Sequence, residues 1–296
     1  KMAESDMQRI ALSTGVSLDV VTAGDPDAPA MLFLHGFPES HRTWRHQIGE
    51  FARDHFVVAP DQRGFARSDK PEGVDAYTPD KPVADAAALM AHFGKDRFTL
   101  VGHDWGGAIA WMMALARPDL VERLIILNAP HPYIFQKTLI DDPAQRAASQ
   151  YIRAFRDPEL EKRIEGISLE TFFDTSFARH ADPALLVDEK ANYLDEWSQP
   201  GALTGMLNWY RASSIVVPAI DEDAERPEFL DRPFPPTQMP VLVIWGTKDA
   251  ALLPSQIEGL GDFVPDLTLV RVDSGHFVPW EAPDAVNRAI RDWFPA

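Results

Sequence analysis

Cysteine is absent from the 296-residue sequence, so no disulfide framework can stabilise the fold. Also absent is any apolar run approaching the ~20 residues of a membrane-spanning helix. Positive charge is scarce, because 28 Lys and Arg stand against 45 Asp and Glu and give a formal net charge of −17. Such a charge repels nucleic-acid phosphates and anionic membranes. We therefore expect a soluble, cytoplasmic protein that binds neither nucleic acid nor membranes.

The apolar pattern predicts an α/β fold. Alternation on both sides of Thr14-Gly15 predicts an antiparallel hairpin. After it come continuous apolar runs of the kind found in parallel strands covered on both faces, at 30–34, 56–59, 98–101, 124–127, 241–245 and 267–272. Helical periodicity lies between them at 43–53, 82–93, 108–116 and 283–293. Strands that alternate with helices predict a mostly parallel sheet with helices on both faces.

This alternation stops near residue 130 and resumes at Val241. The interval is rich in helical patterns and aromatic residues, and it ends in an acidic, proline-dense stretch at 218–236. We predict a core formed by 1–130 and 236–296, and an inserted helical cap at 131–235 that ends in a return linker. The alternative is a long irregular surface segment. A cap would cover the carboxyl edge of the strands, where ligands bind in open α/β sheets.

The apolar run 98–101 leads into Gly102-His-Asp-Trp-Gly-Gly107 and then into a helical pattern. A Gly-x-nucleophile-x-Gly sequence between a strand and a helix is the nucleophile elbow of α/β hydrolases. Its apex is Asp104, and no Gly-x-Ser-x-Gly stands where a strand meets a helix, which argues against a serine esterase. A carboxylate is ionised at pH 7 and can attack carbon directly. The neighbouring His103 is predicted to point away from the site.

Two further chemical groups follow later strands. Asp249 stands just after the run 241–245, and His276 stands just after 267–272. The chain order nucleophile, acid, histidine is that of α/β-hydrolase triads, so we predict Asp104, Asp249 and His276 as the catalytic set. Alternatively, Asp249 caps a loop and His276 is an ordinary turn histidine.

A Gly-Phe-Pro turn after the run 30–34 stands where an oxyanion loop is expected. The backbone N–H groups of Phe37 and Trp105 are its predicted donors, and both residues are expected to contact substrate. A plain turn is the alternative. The segment Asp61–Asp69 is also conspicuous, but we interpret it as a structural turn held by side-chain hydrogen bonds.

Together these segments resemble the α/β-hydrolase-fold epoxide hydrolases, in His35-Gly-Phe-Pro38, Gly102-His-Asp-Trp-Gly-Gly107, Trp245-Gly-Thr-Lys-Asp249 and Gly275-His276. The resemblance implies an eight-stranded sheet and two cap tyrosines that bind the substrate and protonate the epoxide oxygen. Tyr151 and Tyr210 match the family's two tyrosine motifs, whereas Tyr133 and Tyr193 are weaker candidates. The alternative role for Tyr151 and Tyr210 is simple packing within a helical cap.

The resemblance further implies a small apolar epoxide as substrate and a vicinal diol as product, with no metal or other cofactor. Haloalkane and fluoroacetate dehalogenases share most of these motifs and are the alternative class of enzyme. The fluoroacetate enzymes carry arginines where this chain has Trp105 and Ala108. A small-ligand binding module of the same fold is the non-enzymatic alternative.

Overall fold

A central eight-stranded sheet organises the fold. The structure, a computed structural model, describes residues 5–296, and its strands are β1 (Ser5–Ala11), β2 (Ser17–Ala23), β3 (Ala30–Leu34), β4 (Phe56–Pro60), β5 (Phe98–His103), β6 (Val121–Leu127), β7 (Val241–Gly246) and β8 (Leu267–Val272). Their order is β1-β2-β4-β3-β5-β6-β7-β8. β2 pairs antiparallel with β1 and β4, and the other neighbours pair in parallel. The predicted α/β sheet is therefore confirmed; residues 1–4 of the predicted core lie outside the described residues.

The α-helices of the described residues are α1 (Ile48–Phe51), α2 (Asp80–His92), α3 (Trp105–Ala116), α4 (Pro132–Asp141), α5 (Pro143–Ala148), α6 (Gln150–Phe155), α7 (Leu160–Ile167), α8 (Leu169–Phe177), α9 (Lys190–Trp197), α10 (Ala202–Arg211), α11 (Val278–Glu281) and α12 (Pro283–Trp293). The prediction of one helix over 43–53 is wrong, because a 3₁₀ turn at His41–Trp44 precedes the short α1. Tertiary contacts determine the conformation of this segment, since the centroid of the Trp44 ring lies 5.1 Å from that of the Phe33 ring.

Alternate residues of the central strands contribute to two hydrophobic clusters, one on each face of the sheet. In β3, Leu32 and Leu34 join the cluster that also contains Ile109 of α3. Met31 and Phe33 join the cluster that also contains Phe51, Val286 and Ile290. Strand β8 differs from the prediction that both faces are covered, because it is an edge strand with most of its side chains partly or fully exposed.

Between β6 and β7 the chain leaves the sheet for residues 128–240, here called the insert. Helices α4–α10 lie in it, and 218–236 contains only a 3₁₀ turn, Glu228–Asp231. The insert contacts the core directly, since the Trp209 indole N–H donates to the Arg63 carbonyl at 3.0 Å. The domain boundaries at 131–235 stay a prediction. No helix within residues 5–296 is long and apolar enough to span a membrane.

Candidate active site

Asp104 sits at the tight junction of β5 and α3. Its φ of 55° lies in the left-handed region, where a non-glycine residue costs about 1–3 kcal/mol. The turn depends on glycine at Gly106, because a Cβ there would lie 2.0 Å from the Leu34 carbonyl oxygen. The junction places the carboxylate at the carboxyl end of the strand and at the start of α3. The helix dipole favours negative charge at that position.

Two backbone N–H groups converge on one oxygen of this carboxylate. Phe37 N–H donates to Asp104 Oδ2 at 2.9 Å, and Trp105 N–H donates to the same atom at 2.7 Å. The loop that supplies Phe37 can approach so closely because Gly36 has no Cβ, which would lie 2.2 Å from Asp104 Cβ. The two donors predicted from the sequence therefore meet at Oδ2. They leave Oδ1 available for other contacts.

Oδ1 faces the two groups that follow β7 and β8. His276 Nε2 lies 2.9 Å from Asp104 Oδ1. On the other side of the ring, Nδ1 lies 2.6 Å from Asp249 Oδ2. Asp249 and His276 are only 3% and 7% exposed, so water screens their charges weakly. The structure thus brings together the three side chains predicted as a triad.

The charges of this cluster depend on one another. Burial alone would raise the pKa of Asp104, but the hydrogen bond and charge of His276 hold that pKa below its ordinary value. Burial alone would lower the pKa of His276, but the charge of Asp249 and contact with Asp104 raise it well above its ordinary value. The two carboxylates on either side of the imidazole therefore favour its protonated form.

Asn128, which no sequence motif indicated, supports this arrangement. It follows β6 directly, and its side-chain N–H₂ donates to Asp249 Oδ2 at 2.9 Å. Its Oδ1 accepts the Gly246 N–H at 2.6 Å, so the amide joins the ends of two strands. The one feature of the sequence that could have indicated Asn128 is its position just after the apolar run 124–127, at the same edge of the sheet. Asparagine alone is too common in loops to have been selected.

We expect Asn128→Ala to slow turnover. Asp249 would lose a donor to its charged oxygen, and such a bond contributes ~1.5–3 kcal/mol, or about 10- to 100-fold in rate. The loss should fall on the step that needs His276 as a base, measured in single-turnover kinetics. A thermal melt checks that the fold persists. Wild-type rates in a folded variant would contradict this role for Asn128.

Tyr151 on α6 and Tyr210 on α10 line the same cavities as Asp104. Their ring centroids are 6.1 Å apart, and the Tyr210 ring lies edge-on to Phe37 at 5.1 Å. Burial, followed by the negative charge of Asp104, raises the pKa of both phenols. Both hydroxyls therefore stay protonated at neutral pH and can donate hydrogen bonds.

The weaker tyrosine candidates have other partners. Tyr133 donates its hydroxyl to the Leu230 carbonyl at 2.6 Å. Tyr193 donates to Glu39 Oε1 at 2.7 Å. Neither lines the cavities that contain Asp104. Of the four insert tyrosines, only Tyr151 and Tyr210 line those cavities.

His103 and the turn at 61–69, both expected to be structural, make buried contacts away from the reactive oxygen. His103 is fully buried, and its Nε2 lies 2.7 Å from the His276 carbonyl oxygen. Burial, together with the charge of His276, lowers the pKa of His103 to about 4. In the turn at 61–69, Asp61 accepts the His41 backbone N–H at 2.7 Å. These hydrogen bonds agree with the structural interpretation of both segments.

Two cavities have the reactive carboxylate in their lining, with volumes of about 270 and 460 Å³. Asp104, Tyr151 and Tyr210 line both of them. The smaller cavity is bounded mostly by apolar side chains, including Phe135 and Trp105. A small apolar ligand can therefore place its reactive carbon at Asp104. Residues 5–296 contain no cluster of three or more His, Asp or Glu side chains arranged to hold a metal ion.

The sheet topology and the Asp-His-Asp cluster define an α/β hydrolase with aspartate at the elbow, and comparisons with known proteins refine this class. A family model described as alpha/beta hydrolase fold matches residues 29–283. A solved structure, described as a novel epoxide hydrolase of the alpha/beta hydrolases superfamily from metagenomes of hot environments, is 49% identical, with a TM-score of 0.89 and 97% of each chain covered. Epoxide hydrolase 3 of Mus musculus is 34% identical over 93% of this chain and 73% of its own length. The chain therefore belongs to the epoxide hydrolases of the α/β hydrolase fold family.

Proposed function

We propose that this protein hydrolyses a small apolar epoxide to a vicinal diol through a covalent ester on Asp104. The observation that carries the proposal is the position of the carboxylate, with His276 at Oδ1, two N–H donors at Oδ2, and Tyr151 and Tyr210 lining the cavities above. The mostly apolar lining of those cavities supports an apolar substrate.

In the first step, Asp104 Oδ1 attacks a ring carbon, and the C–O bond of the epoxide breaks. An alkoxide is a poor leaving group, so the ring oxygen must gain a proton as the bond breaks. Tyr151 and Tyr210 donate to that oxygen, and one of them transfers its proton. The products of this step are a hydroxyl group on the substrate, an alkyl ester on Asp104 and a phenolate on the tyrosine that gave its proton.

In the second step, His276 takes a proton from water, and the water oxygen attacks the Asp104 carbonyl carbon. Asp249 orients the imidazole and stabilises the imidazolium that forms. Negative charge then develops on Oδ2, where Phe37 and Trp105 donate hydrogen bonds. Collapse of this intermediate breaks the bond to the substrate oxygen, which takes the proton from the His276 imidazolium and leaves as the diol. Asp104 is then a carboxylic acid, and its proton returns to the phenolate, which restores both the carboxylate and the phenol.

The phenols favour epoxide opening over dehalogenation, because a departing halide needs no proton. The smaller cavity has no Lys or Arg in its lining that would hold a haloacid carboxylate, and Arg179 lines only the larger cavity. Catalysis is favoured over ligand binding alone by the buried contacts of His276 with Asp104 and Asp249, which a binding module would not require.

The proposal includes a helical cap at 131–235 that closes over the carboxyl edge of the sheet. Its support is that Tyr151 and Tyr210 of the insert share cavities with Asp104 of the core. We also propose a cytoplasmic location, which rests on the acidic, cysteine-free sequence.

A single turnover in ¹⁸O-labelled water tests the covalent route. With enzyme in excess over a simple aryl epoxide, we expect the label to enter the Asp104 carboxylate, because the diol takes its new oxygen from Asp104. Mass spectrometry of the peptide containing Asp104 measures this. Repeated turnovers should then carry label into the diol. Label in the diol after the first turnover would contradict the ester, and absence of any diol would contradict the function.

A further inference from the structure

Helix α9 of the insert is bound to the loop that carries the Phe37 donor, here called the oxyanion loop (residues 36–40). Three buried hydrogen bonds join side chains of α9 to consecutive residues of this loop: Trp197 Nε1–H to the Pro38 carbonyl at 2.7 Å, Tyr193 O–H to Glu39 Oε1 at 2.7 Å, and Ser40 O–H to Glu196 Oε1 at 2.8 Å. The donor loop is therefore held from the insert as well as from its own strand.

The bond to Pro38 is the one next to Phe37. Trp197 is 3% exposed, and its ring packs 4.9 Å from that of Phe172. Proline has no backbone N–H, so its carbonyl is its only backbone group that can form a hydrogen bond. Without the indole N–H, this buried carbonyl would lose its partner and the loop would shift to regain one.

We propose that Trp197 is a positioning residue, which holds the Phe37 N–H in place against Asp104 Oδ2. The insert then contributes to catalysis in a second way, besides supplying the tyrosines. This inference rests on the proposed ester route, because Oδ2 carries different charges in its two steps.

The two steps should respond to this contact in opposite directions. During ring opening, the Asp104 carboxylate becomes a neutral ester and Oδ2 loses negative charge. During hydrolysis, Oδ2 gains charge as the tetrahedral intermediate forms. A well-placed Phe37 N–H therefore accelerates hydrolysis, while it slightly retards ring opening by stabilising the carboxylate.

Trp197→Phe tests this, because it removes the indole N–H and keeps an aromatic ring. Loss of a whole oxyanion donor costs ~10²–10³-fold, so displacement of one should slow hydrolysis by about 10-fold. Ring opening should be unchanged or slightly faster. Rapid quench followed by intact-protein mass spectrometry measures both rates, and the ester should accumulate in the variant.

Trp209→Phe is the matched control. Trp209 is also a buried insert tryptophan whose indole N–H donates to a core carbonyl, but that carbonyl belongs to Arg63, outside the oxyanion loop. In the Trp209→Phe variant, the ratio of the hydrolysis rate to the ring-opening rate should equal that of the wild type. Tyr193→Phe, which removes another bond to the loop, should lower the ratio less than Trp197→Phe does.

An unchanged ratio in Trp197→Phe, or an equal fall in both rates, overturns the inference. If that variant does not fold, Tyr193→Phe decides, and an unchanged ratio there overturns it equally. Failure of the wild type to form any ester would instead refute the proposed function. The two failures are therefore distinguishable.

Discussion

His276→Gln is expected to trap the protein as an alkyl ester on Asp104. Ring opening needs an ionised carboxylate and the two phenols but no base, and Phe37 and Trp105 still hold Oδ2 of that carboxylate. Hydrolysis needs a base to take a proton from water, and general-base catalysis contributes ~10²–10⁴-fold. Intact-protein mass spectrometry after incubation with a reactive epoxide should show one added substrate mass per chain.

Asp104→Ala is the control, because it removes the attacking oxygen and should give no adduct. Peptide mapping must place the added mass on the segment that contains Asp104. If His276→Gln turns over at the wild-type rate, or if its adduct lies elsewhere, His276 is not the base for ester hydrolysis.

The charges at the site also explain how His276 becomes a base for the second step. In the unliganded protein, Asp249 and Asp104 raise the pKa of His276 well above its ordinary value, which favours the protonated ring. Ester formation removes the charge of Asp104, which lowers the pKa of His276 at the point where a neutral base is needed. The rate of hydrolysis should therefore increase with pH, until His276 of the ester is fully deprotonated.

The parts of the site differ in how well the sequence predicts them. Asp104, Asp249 and His276 could be predicted because each follows an apolar strand, and parallel strands end at the same sheet edge. The two tyrosines were found by resemblance to a family, since no periodicity distinguishes them from packing residues. Asn128 was missed because an asparagine after a strand carries little information by itself.

The remaining features depend on contacts between distant parts of the chain. The bond between Trp197 and Pro38 joins residues 159 positions apart, and no local pattern predicts it. The helix expected at 43–53 failed for the same reason. Its buried Gln47 donates to the Pro279 carbonyl at 3.0 Å, a tertiary contact that competes with helical propensity.

The double variant Tyr151→Phe with Tyr210→Phe should abolish ring opening. Both phenols remain protonated because burial and the charge of Asp104 raise their pKa values, so both can donate to the epoxide oxygen. General-acid catalysis contributes ~10²–10⁴-fold, and loss of both donors should reach the upper part of this range. Each single variant should lose less, since the other hydroxyl remains. The rate of ester formation, measured by mass spectrometry in a His276→Gln background, reports this step alone.

Tyr133→Phe is the matched control, because its hydroxyl is bound to the Leu230 carbonyl and lies outside both cavities. It should form the ester at the wild-type rate. A haloalkane offers a second comparison, since halide departure needs no proton and the double substitution removes only proton donors. Any attack of Asp104 on such a substrate should therefore survive the double substitution better than attack on an epoxide does. Equal losses on both substrates would mean that the two tyrosines shape the cavity rather than protonate the ring oxygen.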